Sequence, residues 1–247
     1  MTDALGWRAK FGVIVPSTNT IVQPEFDGMR PPGVTNHVSR IHIPDIPLHN
    51  DEDFNRLIAL ILAAQQEAIT RVLTCAPDRI VLGISAETFW HGLDASRALR
   101  RDIEAETGLG LSMGADACDA ALKVYGARRI GVITPYQPVG DENVRRFFAE
   151  SGYEVVALRG LRSASPTLIA HETEATLRAA IQEVNLPEAE AIVQVGTNLS
   201  MARLAGEAER WLGKPVLAIN TAIYWHALRA MGIADPVPGW GSLLAEH

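Results

Sequence analysis

The stretch "GVIVPSTN" at residues 12–19 runs from three apolar residues through a proline to small polar residues, as a buried strand followed by a turn would. A similar stretch, "GVITPYQP", occurs at residues 131–138. Two further pairs of similar stretches follow in the same order and at similar spacing: 78–87 with 190–199, and 108–127 with 213–233. The shared order predicts two homologous halves, which we expect to comprise residues 9–115 plus 222–247 and residues 116–221.

Short apolar runs alternate with longer helical patterns along the whole chain. Strands are predicted over residues 11–15, 38–42, 80–84, 109–113, 129–133, 154–158, 190–195 and 215–219. Helices are predicted over residues 52–75, 92–107, 114–126, 140–151, 171–184, 199–212 and 221–231. This alternation is typical of parallel sheets covered by helices, so the predicted fold class is α/β with one parallel sheet in each half.

The composition excludes several classes of protein. The chain has 247 residues, 47% of them apolar, and a formal net charge of −7, which argues against a nucleic-acid partner. The first ten residues lack the apolar core of a signal peptide, and Gln65 and Gln66 interrupt the apolar stretch at 57–69, so we expect no membrane partner and a cytoplasmic location. Two cysteines and seven scattered histidines predict neither a disulfide framework nor a metal site.

Polar residues follow the predicted strands at the ends where parallel sheets bind ligands. These segments are 17–19, 85–87, 134–136, 197–198 and 220–221, and none of them contains Lys or Arg. If the two halves face each other, the segments meet in one cleft between them. Polar side chains and backbone N–H groups at helix starts would then hold an anion there.

Three motifs resemble the aspartate/glutamate racemase superfamily, in particular its maleate isomerase and arylmalonate decarboxylase branch. They are "VPSTNT" at 15–20, "ITPY" at 133–136 followed by "DENVRRFFAESG" at 141–152, and "KPVLAINTAIYWHALRAMGI" at 214–233. The resemblance implies two α/β halves related by a pseudo-twofold axis, a site between them, and chemistry without a metal or organic cofactor. It also implies that Asn19 and Tyr136 contact a substrate carboxylate.

The resemblance also implies up to two catalytic cysteines, one from each half, and here the sequence departs from the pattern. The corresponding positions fall near Gly83 and Gly196, whereas Cys75 and Cys118 lie in or beside predicted helices. We therefore predict the carboxylate pocket of these enzymes without their cysteine chemistry.

Three residues are candidates for catalysis instead. Glu87 and His91 are four positions apart and would share one face of a starting helix, as an acid/base pair could. Alternatively, Glu87 caps a helix begun at Ser85, and His91 is solvated. Tyr136 follows a Thr-Pro turn at a strand end, so it is a candidate catalytic and binding residue or, alternatively, a buried anchor.

The candidate substrate-binding residues are Ser17, Asn19, Ser85, Tyr136, Thr197 and Asn198. Their main alternative role is helix capping. The predicted function is that of a cofactor-independent isomerase or racemase-type enzyme, a homo-oligomer that acts on a small carboxylic or dicarboxylic acid. Two alternatives remain open. One is an arylmalonate-type decarboxylase, which needs an apolar pocket but no base, and the other is a non-catalytic protein that binds a small acid.

Overall fold

The structure, a computed structural model, describes residues 3–247 and contains two four-stranded sheets in that part of the chain. The strands are β1 Ala9–Pro16, β2 Val34–Ile41, β3 Arg79–Leu82, β4 Leu111–Ser112, β5 Arg129–Thr134, β6 Glu154–Gly160, β7 Ala191–Gln194 and β8 Val216–Ala218. Their orders are β2-β1-β3-β4 and β6-β5-β7-β8, and all pairs are parallel. The two orders are equivalent along the chain, so the predicted α/β class and the duplication are confirmed.

Helices cover both sheets. They are α1 Val22–Met29, α2 Asp51–Leu73, α3 Leu93–Thr107, α4 Gly114–Tyr125, α5 Pro138–Glu150, α6 Glu174–Val184, α7 Ala202–Leu212, α8 Ile219–Ala230 and α9 Ser242–Glu246. Two short 3₁₀ helices, Ala86–Phe89 and Leu168–His171, also occur in the described part of the chain. Within residues 3–247, none of these helices combines the length and apolar character needed to cross a bilayer.

Helix α1 was not predicted, because its sequence "VQPEFDGM" contains a proline and a glycine, which both disfavour helix interiors. It nevertheless buries Val22, Phe26 and Met29. Helix α7 begins at Ala202 rather than at residue 199, and β4 has only two residues where five were predicted. Tertiary packing, rather than local propensity, decides these boundaries.

Backbone hydrogen bonds define which positions of the two sheets match. The N–H of Gly83 donates to Ile14 O at 2.8 Å, and the N–H of Val195 donates to Ile133 O at 2.8 Å. Ile14 and Ile133 occupy equivalent positions in the repeated stretches at 12–19 and 131–138. Gly83 therefore matches Val195, one residue before Gly196, and by the same count Ser85 matches Thr197.

Helix α8 links the two halves. It follows β8 of the second sheet without a break, yet it contacts β3 and β4 of the first sheet. Its residue Tyr224 is fully buried, with ring centroids 5.8 Å from Phe11 and 4.9 Å from Phe26. Burying one large apolar side chain stabilises a fold by about 1.5–3 kcal/mol. We propose the division into 9–115 plus 222–247 and 116–221, and the contacts of α8 with the first sheet support it.

Candidate functional site

A small cavity lies between the two sheets, at the carboxyl ends of their strands. Five predicted binding residues line it together: Asn19, Ser85, Tyr136, Thr197 and Asn198. Apolar side chains line the remaining wall, among them Ile43, Phe54, Leu57, Ile61, Ile84 and Ile169. The cavity volume of about 60 Å³ is far below the roughly 300–1,000 Å³ of sites for drug-sized ligands. The cavity therefore suits a small molecule with one polar and one apolar end.

Two hydroxyl groups form the centre of the polar wall. Ser85 Oγ and Tyr136 Oη lie 2.7 Å apart, and Ser85 Oγ also accepts a hydrogen bond from the N–H of Thr197 at 3.2 Å. The two hydroxyls carry two protons, and the bond between them uses one of these. Whichever hydroxyl donates to the other, one proton is left that can be donated to a ligand.

The ring of Tyr136 is fixed by its neighbours. Its backbone N–H donates to Thr134 Oγ1 at 3.1 Å, its carbonyl accepts from Arg162 Nη1, and its ring centroid lies 5.1 Å from that of Phe54. Burial raises the pKa of the Tyr136 hydroxyl above its usual range. The phenol therefore stays protonated at physiological pH and acts as a hydrogen-bond donor to an anion.

Asn19 combines a capping role with a cavity role. Its Oδ1 accepts from the N–H groups of Ile21 at 3.0 Å and Val22 at 2.9 Å, which satisfies donors at the start of α1. Its Nδ2 donates to Thr197 Oγ1 at 3.3 Å. An amide nitrogen has two N–H bonds, and within the described residues only one of those of Asn19 is used, so the other can bind a ligand.

Thr197 and Asn198 hold the two halves together with their side chains. Thr197 Oγ1 donates to Gly83 O at 3.0 Å, and Asn198 Oδ1 accepts from the N–H of Thr20 at 3.0 Å. The amide nitrogen of Asn198 donates to Pro166 O at 2.9 Å. Because α7 begins only at Ala202, neither residue caps it. Their contribution to a ligand would come from the backbone, where the N–H of Asn198 donates to no acceptor in residues 3–247.

Three predicted site residues do not line the cavity. Ser17 Oγ donates to Ile43 O at 3.1 Å and accepts from the N–H of Ile43 at 3.0 Å, which fixes the extended segment after β2. Glu87 is buried in the 3₁₀ helix Ala86–Phe89, and the His91 side chain is exposed. Since that helix ends at Phe89 and α3 begins at Leu93, Glu87 and His91 do not share a helix face as expected. The catalytic roles assigned to them stay predictions.

Glu87 is the least well satisfied ionisable group near the site. Both of its carboxyl oxygens are buried without a hydrogen-bond partner in the described part of the chain, and desolvation raises its pKa to about 8. The folded protein therefore binds a proton at Glu87 between about pH 4.5 and 8, where the unfolded chain does not. The contribution of Glu87 to folding stability therefore falls as the pH rises through this interval.

Glu87→Gln is expected to remove this pH dependence. Each unit of pKa shift is worth about 1.4 kcal/mol, so the unfolding free energy of the variant should rise relative to wild type by a few kcal/mol between pH 5 and pH 8. Urea unfolding at these two pH values measures the change. Exposed Glu188→Gln is the control and should show a constant difference. A constant difference for Glu87→Gln as well would contradict a neutral buried carboxyl.

Sequence reasoning missed two features, one in the lining of the cavity and one outside it. The first is the apolar wall, to which α2 contributes Phe54, Leu57 and Ile61. Their helical spacing predicts a buried face but not the cavity that it faces. The second is a buried hydrogen-bonded pair, Glu25 and Asn220, with Nδ2 and Oε2 2.6 Å apart. No local signal identifies this pair, because α1 was not predicted and the residues are far apart in sequence.

Neither cysteine reaches the cavity. Cys118 is buried in α4, where desolvation raises the pKa of its thiol, and Cys75 follows α2. The two expected cysteine positions also lack space. A Cβ on Gly83 would lie 2.6 Å from Val15 Cγ1, and one on Gly196 would lie 2.4 Å from Pro135 Cδ. Gly196 also has a φ of +112°, which other residues rarely adopt.

No group of three or more His, Cys, Asp or Glu side chains that could hold a metal ion occurs within residues 3–247. The residues that line the cavity also include no Lys, Arg, His, Asp, Glu or Cys. What the arrangement offers is a set of neutral donors facing an apolar wall. Such a set can bind a carboxylate and stabilise negative charge that develops on it.

Comparison with known proteins gives a consistent family assignment. The chain is 24% identical to a maleate isomerase of Pseudomonas putida over 96% of this chain and 97% of that protein. It is 29% identical to an arylmalonate decarboxylase of Bordetella bronchiseptica over 64% and 68% of the two chains. These relatives match the predicted isomerase and its decarboxylase alternative.

Solved structures agree with the fold. A Nocardia farcinica maleate cis-trans isomerase, a mutant with a covalently bound succinylcysteine intermediate, superposes with a TM-score of 0.87 at 23% identity over 97% and 99% of the chains. A crystal structure of arylmalonate decarboxylase gives a TM-score of 0.74 at 23% identity over 95% and 98%. The family model described as arylmalonate decarboxylase matches residues 11–244. The chain therefore belongs to the arylmalonate decarboxylase family.

Proposed function

We propose that this chain is a cofactor-independent decarboxylase of a small malonate-type acid, one with two carboxylates on the same carbon. The observation that carries the proposal is the lining of the cavity, which combines neutral hydrogen-bond donors with apolar side chains and includes no Lys, Arg, His, Asp, Glu or Cys. Decarboxylation needs no base, because departing CO₂ itself leaves the electron pair on carbon. Isomerisation or racemisation through proton abstraction or thiol addition needs a group that the lining lacks.

The reaction would proceed in two steps. One carboxylate accepts hydrogen bonds from Asn19 Nδ2 and from the free proton of the Ser85–Tyr136 pair, while the other faces the apolar wall, where its charge is poorly solvated. The carbon–carbon bond to the second carboxylate breaks, CO₂ leaves, and the electron pair spreads onto the first carboxylate as an enediolate. A solvent-exchangeable proton then adds to the carbon and gives the monocarboxylic acid.

Isomerisation of a small dicarboxylate is the second candidate. It is favoured by the higher TM-score of the maleate isomerase structure and by the longer match to the Pseudomonas putida relative. The Nocardia isomerase carries a succinylcysteine. An isomerase with the present cavity would have to use a group other than a cysteine thiol, because no cysteine lines the cavity.

A panel of acids distinguishes these functions. The protein is incubated in D₂O with malonate, methylmalonate, phenylmalonate and maleate, and the mixtures are followed by proton NMR. A deuterated monocarboxylic acid from a malonate supports the proposal. Conversion of maleate to fumarate with no malonate consumed would replace it by the isomerase. Ligand resonances that broaden on binding without any product would favour a protein that only binds acids.

The double variant Cys75→Ala/Cys118→Ala tests the absence of thiol chemistry. Because neither sulfur reaches the cavity, we expect kcat/KM within about threefold of wild type, well under the tenfold that corresponds to about 1.4 kcal/mol. The decarboxylation assay on the best malonate measures it. A larger loss, at an unchanged melting temperature, would mean that one cysteine takes part in the reaction.

The homo-oligomeric state and the cytoplasmic location stay predictions. A small carboxylate as the substrate is consistent with the named relatives, which include maleate isomerases and an arylmalonate decarboxylase. The apolar side chains of Ile43, Leu57 and Ile61 would determine which substituent on the malonate fits the cavity.

A further inference from the structure

Glu25 joins α1 to the starts of two helices in the other half of the chain. It is only 8% exposed, and its Oε1 accepts from the N–H of Ala202 at 3.3 Å, at the first residue of α7. Its Oε2 accepts from Asn220 Nδ2 at 2.6 Å, near the start of α8. A carboxylate at the N-terminus of a helix is electrostatically favoured. Glu25 thus fixes both helix starts relative to α1.

The same amide of Asn220 continues this connection into the cavity. Asn220 Nδ2 also donates to Thr197 O at 2.9 Å. Thr197 in turn donates its N–H to Ser85 Oγ and its hydroxyl to Gly83 O. The hydrogen-bonded chain from Glu25 through Asn220 and Thr197 therefore ends on the serine whose hydroxyl is paired with Tyr136.

We propose that Glu25, acting through Asn220, is a positioning residue that orients Thr197 and Ser85 for hydrogen bonding to the bound acid. The inference rests on the proposed function and deepens it. Neither Glu25 nor Asn220 lines the cavity, so their effect on a ligand is indirect. Asn220 Nδ2 donates one proton to Glu25 and the other to Thr197 O. A change in its bond to Glu25 therefore also changes its bond to Thr197.

The protonation state of Glu25 should control this arrangement. Burial raises its pKa to about 7, against the opposing effects of the bonds from Asn220 and Ala202 and of nearby Arg203. The other charged residues that line the adjoining surface pocket are Glu172, Glu174 and Glu207. Above pH 7 both carboxylate oxygens of Glu25 accept a hydrogen bond. Below pH 7 one oxygen carries a proton, so the bond from Ala202 or the bond from Asn220 must weaken.

NMR of the ¹⁵N-labelled protein tests the connection without any substrate. In wild type, the backbone N–H resonances of Ala202 and Thr197 should both shift with a midpoint near pH 7, at the pKa of Glu25. In Asn220→Ala, Ala202 should still titrate and Thr197 should not. In Glu25→Gln neither should titrate, whereas in Glu207→Gln, on the rim of the same pocket, both should. A wild-type Thr197 resonance that does not titrate would overturn the proposal.

Turnover of the best malonate in the panel provides the second readout. Wild-type kcat should fall about tenfold from pH 8 to pH 6, which corresponds to about 1.4 kcal/mol in the barrier. The kcat of Glu25→Gln should be low and independent of pH over this range, and the kcat of Glu207→Gln should follow that of wild type. An unchanged wild-type profile in Glu25→Gln would overturn the positioning role. If no acid is turned over while Thr197 titrates as expected, the proposed function fails and the structural connection stands.

Discussion

Removing both cavity hydroxyls, in Ser85→Ala/Tyr136→Phe, is expected to lower kcat for a malonate by about 10²–10³-fold. This is the loss typical of removing an oxyanion donor. The two single variants should each lose only about tenfold. The reason is that the hydrogen bond between the two hydroxyls uses one of their two protons and leaves the other for the ligand. When one hydroxyl is removed, the other no longer has a partner and can donate its own proton to the ligand. Only the double variant leaves the carboxylate without a hydroxyl donor.

A partly buried pair of hydroxyls elsewhere in the chain controls for the loss of a tyrosine–serine hydrogen bond. Tyr125 Oη and Ser242 Oγ are also 2.7 Å apart, and neither lines the cavity. Tyr125→Phe/Ser242→Ala should affect the melting temperature but not kcat. If Ser85→Ala/Tyr136→Phe lost no more kcat than either single variant, this would contradict the claim that each hydroxyl can replace the other as the donor to the ligand.

Asn19→Ala is expected to weaken acid binding and folding together. A lost hydrogen bond to a charged oxygen costs about 1.5–3 kcal/mol, roughly ten- to hundredfold in affinity. The lost cap on α1 costs about 1 kcal/mol of unfolding free energy. Calorimetric titration and denaturant unfolding measure the two effects separately.

Asn19→Asp separates the two roles of this residue. The aspartate keeps an oxygen for the N–H groups of Ile21 and Val22, so stability should be largely retained. It loses the amide donor and adds a negative charge to an anion site, so acid binding should be abolished. Asn50→Ala is the opposite control. Asn50 Oδ1 caps α2 by accepting from the N–H of Asp53 at 2.9 Å, and Asn50 lies outside the cavity. Only the unfolding free energy of this variant should fall. Equal affinity in Asn19→Asp and wild type would remove Asn19 from the site.

The sequence is most informative where it repeats. The stretches at 12–19 and 131–138 predict the matching central strands, and the polar residues after the strands predict a cavity lined by Asn19, Ser85 and Tyr136. Both inferences work because a parallel sheet brings the carboxyl ends of its strands to one edge.

Features that depend on long-range packing could not be predicted. Glu87 and His91 have helical spacing, but the 3₁₀ helix ends at Phe89. Glu87 therefore lies in this helix and His91 lies outside it. Glu25 and Asn220 are 195 positions apart and meet only because α8 packs on the first half.

The most direct test of the account is a crystal structure of the wild-type protein with the monocarboxylic product of the best malonate. We expect one carboxylate oxygen within hydrogen-bond distance of Asn19 Nδ2 and of the Ser85–Tyr136 pair, with the substituent against Phe54 and Leu57. The competing location is a surface groove that contains Arg203, Arg210 and Lys214 and is lined by Glu207, Glu209 and Glu246 as well. An acid bound in that groove, with the cavity between the sheets empty, would contradict the account.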